Sequence, residues 1–182
     1  MKKKRILLCV TASIAAYRSC DIINNLRKSG FEVQVLMSPD AHHFITPLTL
    51  QTLSGKKVVC DMFELPQEWD IRHVSLAEWA DIVLIAPASA DMISRLACGL
   101  ANCVVSATVL ATQATVIIAP AMNDRMYAHR TIQDNLARLR DLGYLIVGPR
   151  KGRLACGYEA MGHIAGTDEI VRLVKENLHR QR

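Results

Sequence analysis

The sequence predicts a three-layer α/β domain, a flavodoxin- or Rossmann-like parallel sheet with helices on both faces. Three observations carry this. Apolar runs alternate with helical patterns along the 182 residues, which is the order of strands and crossover helices in a parallel sheet. The run Thr115-Val116-Ile117-Ile118-Ala119 is apolar and β-branched without alternation, as in a strand buried on both faces. Five main runs of this kind favour a flavodoxin-like order over a six-stranded dinucleotide-binding sheet.

The elements follow in order. Ile6 to Val10 is the first strand, then the small-residue turn Thr11-Ala12-Ser13. Ile14 to Lys28 is a helix, with Ser13 as its N-cap and Gly30 as its stop. Phe31 to Met37 is the second strand, Pro47 to Leu53 a short helix stopped by Gly55, and Lys57 to Cys60 a minor strand. Val74 to Trp79 is a short helix, and Asp81 to Ala86 a strand that ends at Pro87. A long small-residue helix, or a broken pair, covers Ala90 to Ala111. The strand Thr115 to Ala119 ends at Pro120, because proline cannot donate to the ladder. A helix around Thr131 to Leu142, a strand Tyr144 to Val147 and a last helix from Thr167 complete the chain. Residues 1–182 therefore read as one domain, with no internal repeat or linker.

Composition narrows the function classes. Charged residues make up 21% and hydrophobic ones 51%, and no apolar run approaches the roughly 20 residues that span a bilayer. The apolar stretch after Lys2-Lys3-Lys4-Arg5 is too short for a signal peptide, so a cytosolic protein without a membrane partner is expected. A net charge of +5 with 5% aromatics gives no interleaved basic and aromatic surface, so no nucleic-acid partner is expected. The six cysteines show no C-x-x-C pair and no zinc spacing, so no metal is expected. Cys9, Cys20, Cys60, Cys98 and Cys103 fall within strands or helices and read as small buried hydrophobes.

The chemistry gathers where strands end. Open α/β sheets bind ligands outside the carboxyl ends of their strands. Three such ends carry unusual loops: Thr11-Ala12-Ser13, Pro87-Ala88-Ser89-Ala90-Asp91 and Pro120-Ala121-Met122-Asn123. Small residues let a backbone approach a ligand, and helix N-termini present N–H groups to a phosphate. They also serve plain helix–sheet packing. No G-x-G-x-x-G and no G-x-x-x-x-G-K-[ST] occurs, so a mononucleotide such as FMN suits the site better than a dinucleotide or a nucleoside triphosphate. Asn123 brings two amide donors and one acceptor to the cleft. Met122 and Met126 flank it, as ring contacts or as core filler. His73 precedes a short helix; its titration range suits a proton shuttle, although surface and capping roles are common for an isolated histidine. Cys156 follows Arg150, Lys151 and Arg153, whose charges would favour a thiolate. Gly152, Gly157 and Gly162 would let that segment fold over a site as a flap, or simply leave a mobile basic loop holding an incidental thiol.

The chain resembles the flavin-dependent cysteine decarboxylases, and within them the branch acting on phosphopantothenoylcysteine. The resemblance runs from about Ile6 to Val174. It rests on Pro120-Ala121-Met122-Asn123-Asp124-Arg125-Met126, similar to the family's P-x-M-N-x-x-M, and on Leu154-Ala155-Cys156-Gly157. Thr11 to Tyr17, His73 before its helix and Ala86-Pro87-Ala88-Ser89-Ala90 support it in the same order. It implies FMN-dependent decarboxylation of 4'-phosphopantothenoylcysteine to 4'-phosphopantetheine, a step of coenzyme A biosynthesis. It further implies that His73 is the base, that Asn123 holds the substrate carboxylate and that Cys156 is the acid. Met126 and the flap residues Arg153, Leu154 and Ala155 would join Asn123 in touching substrate. Ala12, Ser13, Ile14, Ser38, Ser89, Ala90, Asp91, Met92 and Ala121 would contact the flavin. The family also implies a homo-oligomer, trimer or dodecamer, with flavin near the subunit interface. Many bacterial relatives carry a C-terminal synthetase domain that this length does not hold, so a separate synthetase partner is the corresponding expectation.

Two other readings remain at this point. A peptidyl-cysteine decarboxylase would share His73 and the Pro120–Met126 motif but stop at an enethiol, and Cys156 argues against it. A non-catalytic flavoprotein acting as a regulatory subunit would use the same fold, since fold alone does not give function. The presence of His73, Asn123 and Cys156 together argues against that.

Overall fold

The computed structural model describes residues 3–63, 72–153, 155 and 157–180. In chain order its elements are β1 (Arg5–Val10), α1 (Arg18–Lys28), β2 (Glu32–Met37), α2 (Pro47–Ser54), α3 (Arg72–Trp79) and β3 (Ile82–Ala88). Then come α4 (Ala90–Cys98), α5 (Val104–Ala111), β4 (Thr115–Pro120), α6 (Asp124–Ala128), α7 (Arg130–Asp141) and β5 (Leu145–Ile146). A hairpin of β6 (Arg150–Arg153) and β7 (Glu159–His163) precedes α8 (Thr167–Arg180).

The main sheet is parallel, in the order β2-β1-β3-β4-β5. This is the flavodoxin-like arrangement that the run count predicts. Alternation along each strand divides the core in two. Ile6, Leu8 and Val10 of β1 meet Ile22, Ile23 and Leu26 of α1, Leu50 of α2 and Ile170, Val174 and Leu178 of α8. Leu7 and Cys9 point the other way, toward Met92, Ile93 and Leu96 of α4, Val104, Val105 and Val109 of α5 and Leu136 and Leu139 of α7. Leu76 and Trp79 of α3 pack against this second cluster. Burial on both faces is why the strands read as continuous apolar runs. Among the described residues, no helix is long and apolar enough to cross a membrane.

The structure refines several boundaries. The first helix opens as a 3-10 turn over Ile14–Tyr17, capped by Ser13, before α1 takes over. The minor strand expected at Lys57 to Cys60 shrinks to one bridge, Leu36 with Val59. The Ala90–Ala111 segment is the broken pair, cut where Gly99 adopts φ +71° after α4, and α5 restarts behind the N-cap Cys103. The helix expected near Thr131 gains a short predecessor, α6, and His129 caps α7 by accepting from the Thr131 N–H. The β6–β7 hairpin is not foreseen from the sequence, because its side chains are mostly polar or small and lack an apolar rhythm. Of the five cysteines read as buried, Cys9 and Cys103 are; Cys20 and Cys60 are half-buried, and Cys98 is exposed at the end of α4. Burial, with Cys103 close by, pushes the Cys9 thiol far up.

The largest departure concerns β3, which runs through Pro87 to Ala88. Ile85 pairs with Ile118, yet Ala88, three residues on, pairs with Pro120, only two residues on. One extra residue is accommodated there, so a proline without a donor causes no break in the pairing beyond it. The Pro87 carbonyl instead accepts from the buried Thr11 hydroxyl at 2.7 Å, and the Thr11 hydroxyl oxygen in turn accepts the Ser89 N–H at 2.9 Å. Thr11 thereby binds the loop after β1 to the loop after β3. Thr11→Val keeps the shape and orphans both partners, so it should lower unfolding free energy by about 1–3 kcal/mol in urea titrations.

Candidate functional site

A cavity of about 750 Å³ opens at the carboxyl ends of β1, β3 and β4. That is within the range of small-molecule and cofactor sites, roughly 300–1,000 Å³. Three loops build its walls, and hydrogen bonds hold them together. Ser13 caps the turn after β1 by accepting from Ala15 N at 3.3 Å, and its hydroxyl donates to the Ala121 carbonyl at 3.2 Å. Ala121 N donates to the Ala88 carbonyl at 3.0 Å, and Met122 N to the Gly162 carbonyl at 3.1 Å. Sequentially distant loops are thus locked to one another by backbone groups that would otherwise go unsatisfied.

Of the flavin-contact candidates, Ala12, Ser13, Ile14, Ser89, Ala90 and Ala121 line the cavity. So do Asn123, Met126, Arg153 and Ala155 from the substrate set. Ser38, Asp91, Met92 and His73 are not among the described residues lining it. Asp91 and Met92 follow from helix rotation: successive positions turn by about 100°, so Ala90 faces the cavity, Asp91 solvent and Met92 the second core. Asp91 there pairs with Arg95 at 2.7 Å. Ser38 is buried under β1, its N–H donating to the Val10 carbonyl at 3.0 Å. His73 sits in the first turn of α3, which packs on α5 in the layer opposite α1; its Nδ1 is shielded and has no hydrogen-bond partner among the described residues. Leu154 and Cys156 lie outside the described residues.

Sequence reasoning missed the wall formed by Tyr17 and Arg18 and that formed by His163 and Ile164 beside the flap glycine Gly162. Arg18 stacks over the Tyr17 ring at 5.0 Å and pairs with Asp21 at 3.5 Å. A tight turn entering a helix was the available signal for the first. For the second it was Gly152, which faces His163 across the hairpin so closely that a Cβ would lie 3.1 Å from the ring.

Asn123 ends β4's loop as the N-cap of α6, its Oδ1 accepting from Arg125 N at 2.9 Å. That bond orients the amide, making Nδ2 the group suited to an anion. Next to it, the Tyr158 hydroxyl donates to Asp124 Oδ1 at 2.7 Å. This hydrogen bond, with backbone N–H groups of Arg125 and Asp124 adding to it against slight desolvation, holds the exposed Asp124 carboxyl below the usual range. Alanines, methionines and isoleucines make up most of the remaining wall, with the cations Arg18 and Arg153 at its border and the first turn of α4 opening at one side. Such walls fit a flat apolar ring carrying an anionic tail.

The family model described as Flavoprotein matches residues 1–179. The chain belongs to the Flavoprotein family. It is 42% identical over 173 residues to the "Coenzyme A biosynthesis bifunctional protein CoaBC" of Vibrio vulnificus (strain YJ016), covering 95% of this chain and 43% of that protein. The chain thus spans less than half the length of that relative. It is 41% identical to the "Probable phosphopantothenoylcysteine decarboxylase" of Streptococcus mutans, covering 96% of this chain and 99% of that protein. Among solved flavoprotein structures, the FMN-dependent cysteine decarboxylase SpaF superposes with a TM-score of 0.86 at 28% identity, covering 97% of this chain and 96% of that one. Family membership and this neighbour support a flavin cofactor for this flavoprotein.

Two outcomes test the geometry. Gly162 has φ +143°, and a Cβ there would stand 2.3 Å from the Met122 carbonyl oxygen. Gly162→Ala should therefore undock the hairpin, read as faster hydrogen exchange at the Met122 amide and a stability loss of about 1–3 kcal/mol. For Asp124 the sign is that of a depressed carboxylate: the bond to Tyr158 is complete at neutral pH and is lost as pH falls through the lowered value. Tyr158→Phe should move the Asp124 carboxyl midpoint up toward its ordinary position in a ¹³C titration.

Proposed function

We propose that this chain is a carboxy-lyase that decarboxylates 4'-phosphopantothenoylcysteine to 4'-phosphopantetheine with FMN. The observation that carries this is Asn123, an oriented amide at the end of β4 in a largely apolar cavity beside Arg153. Bound FMN would supply a two-electron oxidation of the substrate's cysteine moiety to a thioaldehyde, and the matching reduction at the end. Ala12, Ser13, Ile14, Ser89, Ala90 and Ala121 would hold it, with ring against small side chains and phosphate at the loop and helix N–H groups.

The chain's own residues do the rest. The Asn123 amide donates to the substrate carboxylate and fixes it for loss. Removing that carboxylate from water raises its free energy relative to a transition state in which the charge spreads toward sulfur. Met126 and Ile14 supply apolar wall on that side. Arg153 offers a cation to the substrate's phosphate or to the developing thiolate. The Cys156 thiol then protonates the enethiolate, and His73 removes a proton in the first half of the reaction. His73 stands in the opposite helical layer from α1 and outside the cavity wall. The reading therefore includes a homo-oligomer, trimer or dodecamer, in which a second copy brings His73 to the cavity. A cytoplasmic setting and a separate synthetase supplying the substrate complete it.

An anaerobic single turnover on the flavin-loaded protein tests this. Wild type should release CO2 and phosphopantetheine, His73→Asn should release neither, and Cys156→Ser should release CO2 and stop at the enethiol. A wild type that binds flavin yet releases no CO2 from phosphopantothenoylcysteine would reject the assignment in favour of a non-catalytic flavoprotein. Release of CO2 only from peptides ending in cysteine would move it to the peptidyl branch.

A further inference from the structure

Among the described residues that line the cavity none is acidic, and the permanently charged ones are Arg18 and Arg153. His163 also lines it, its Nδ1 donating to the Ile164 carbonyl at 3.0 Å. The two arginines differ in support. Arg153 ends β6 on the hairpin and is exposed. Arg18 opens α1 directly behind the 3-10 turn whose cap, Ser13, donates to the Ala121 carbonyl at 3.2 Å. Its backbone N–H closes that turn on the carbonyls of Ala15 and Ala16, and its guanidinium lies 5.0 Å from the centre of the Tyr17 ring. Asp21 approaches one terminal nitrogen, Nη1, at 3.5 Å. Among the described residues this is the one ion pair of Arg18, and it engages one of three guanidinium nitrogens. The other N–H groups form a planar fork that fits two oxygens of one phosphate. A cation in the first turn opposes the helix dipole, so helix stability does not account for an arginine at this place.

We propose that Arg18 is a specificity-determining residue: its guanidinium binds the phosphomonoester at the end of the substrate away from the cysteine, and so selects phosphorylated over unphosphorylated substrates. The choice of substrate rests on the decarboxylase reading above. A phosphomonoester carries nearly two negative charges at neutral pH, and walls of alanine, methionine and isoleucine cannot replace the water it leaves. A cation held by the sheet-bound turn can. A peptide ending in cysteine has no such dianion, so Arg18 contributes nothing to its binding. FMN ends in the same group, which gives this chemistry two bearers. Arg18 belongs to the substrate by position: its side chain is 35% exposed, at the border where an exchanging ligand enters. Partial exposure also screens the interaction, so the selectivity is moderate.

The test compares wild type, Arg18→Gln and Arg18→Lys as flavin-loaded proteins. Calorimetric titration with 4'-phosphopantetheine and with pantetheine reads the subsite without turnover, and KM and kcat for phosphopantothenoylcysteine and pantothenoylcysteine read it in turnover. Arg18→Gln should raise Kd and KM for the phosphorylated ligands about five- to thirtyfold and leave those for the unphosphorylated ones unchanged. Its kcat should stay at the wild-type value, because the lost binding is shared by ground and transition states. Arg18→Lys keeps the charge without the fork and should recover part of the loss. The wild-type preference for phosphate should shrink as salt rises. Equal weakening for both kinds of ligand would make Arg18 a plain wall residue and overturn the proposal, as would no weakening for either. Flavin release on dilution, from protein loaded with FMN or with riboflavin, separates the two bearers. In Arg18→Gln, faster release of FMN alone with pantetheine discrimination intact would give Arg18 to the cofactor and overturn the proposal. Arg18-dependent discrimination of phosphopantetheine without CO2 release would uphold the subsite and reject the decarboxylase reading. CO2 release without such discrimination would do the reverse.

Discussion

One buried hydroxyl joins the two halves of the site. Thr11 is 1% exposed, donates to Pro87 and accepts from Ser89, and so crosses between the loops after β1 and β3. Around it the other ties fall into sequence: Ser13 to Ala121, Ala121 to Ala88, Met122 to Gly162. Each link satisfies a polar group at the sheet edge that burial would otherwise leave costly. The cavity is therefore a product of the sheet's unpaired carboxyl ends. Parallel strands supply backbone groups with no further ladder to join, and the loops bond with one another around the space left between them.

Much of the fold is legible from the chain because its physics is local. Continuous runs such as Ile6 to Val10 and Thr115 to Ala119 announce strands covered on both faces, and Ser13, Gly30 and Gly55 mark helix ends through capping and left-handed φ. The hairpin is not local in this sense. Its strands carry Arg150, Lys151 and Arg153 on one side and Glu159 and Met161 on the other, and only docking on Met122 gives them a place. Burial alternates along β7, but its inward positions are Ala160 and Gly162, which leave no apolar rhythm to read.

The candidate site divides the same way. Residues placed by a strand end, such as Ala121 and Asn123, are found where a motif suggests them. Along α4 a contiguous stretch cannot all face one direction, so Ala90 reaches the cavity while Asp91 and Met92 turn away. Tyr17, Arg18 and His163 reach it through turns whose direction no periodicity reveals. His73 shows the remaining limit: a residue can match a motif and still occupy a different layer from the cavity it is meant to serve. A sequence pattern records chemistry in one dimension and leaves the layer of each group to the fold.

The extra residue in β3 separates two kinds of necessity. Ala86 belongs to the first core and Ala88 to the second, although regular alternation would put both on one face. Pro87 occupies the surplus position. A chain one residue shorter there would still alternate correctly, with Ala86 and Ala88 adjacent and each in its present core. What it would lack is the carbonyl that Thr11 reaches. In the arithmetic of insertions and deletions, the sheet has no use for Pro87 and the cavity does. Length variation at this point among related chains would therefore be filtered by the bonding between the loops around the cavity, while the alternation of the strand stayed unaffected by it.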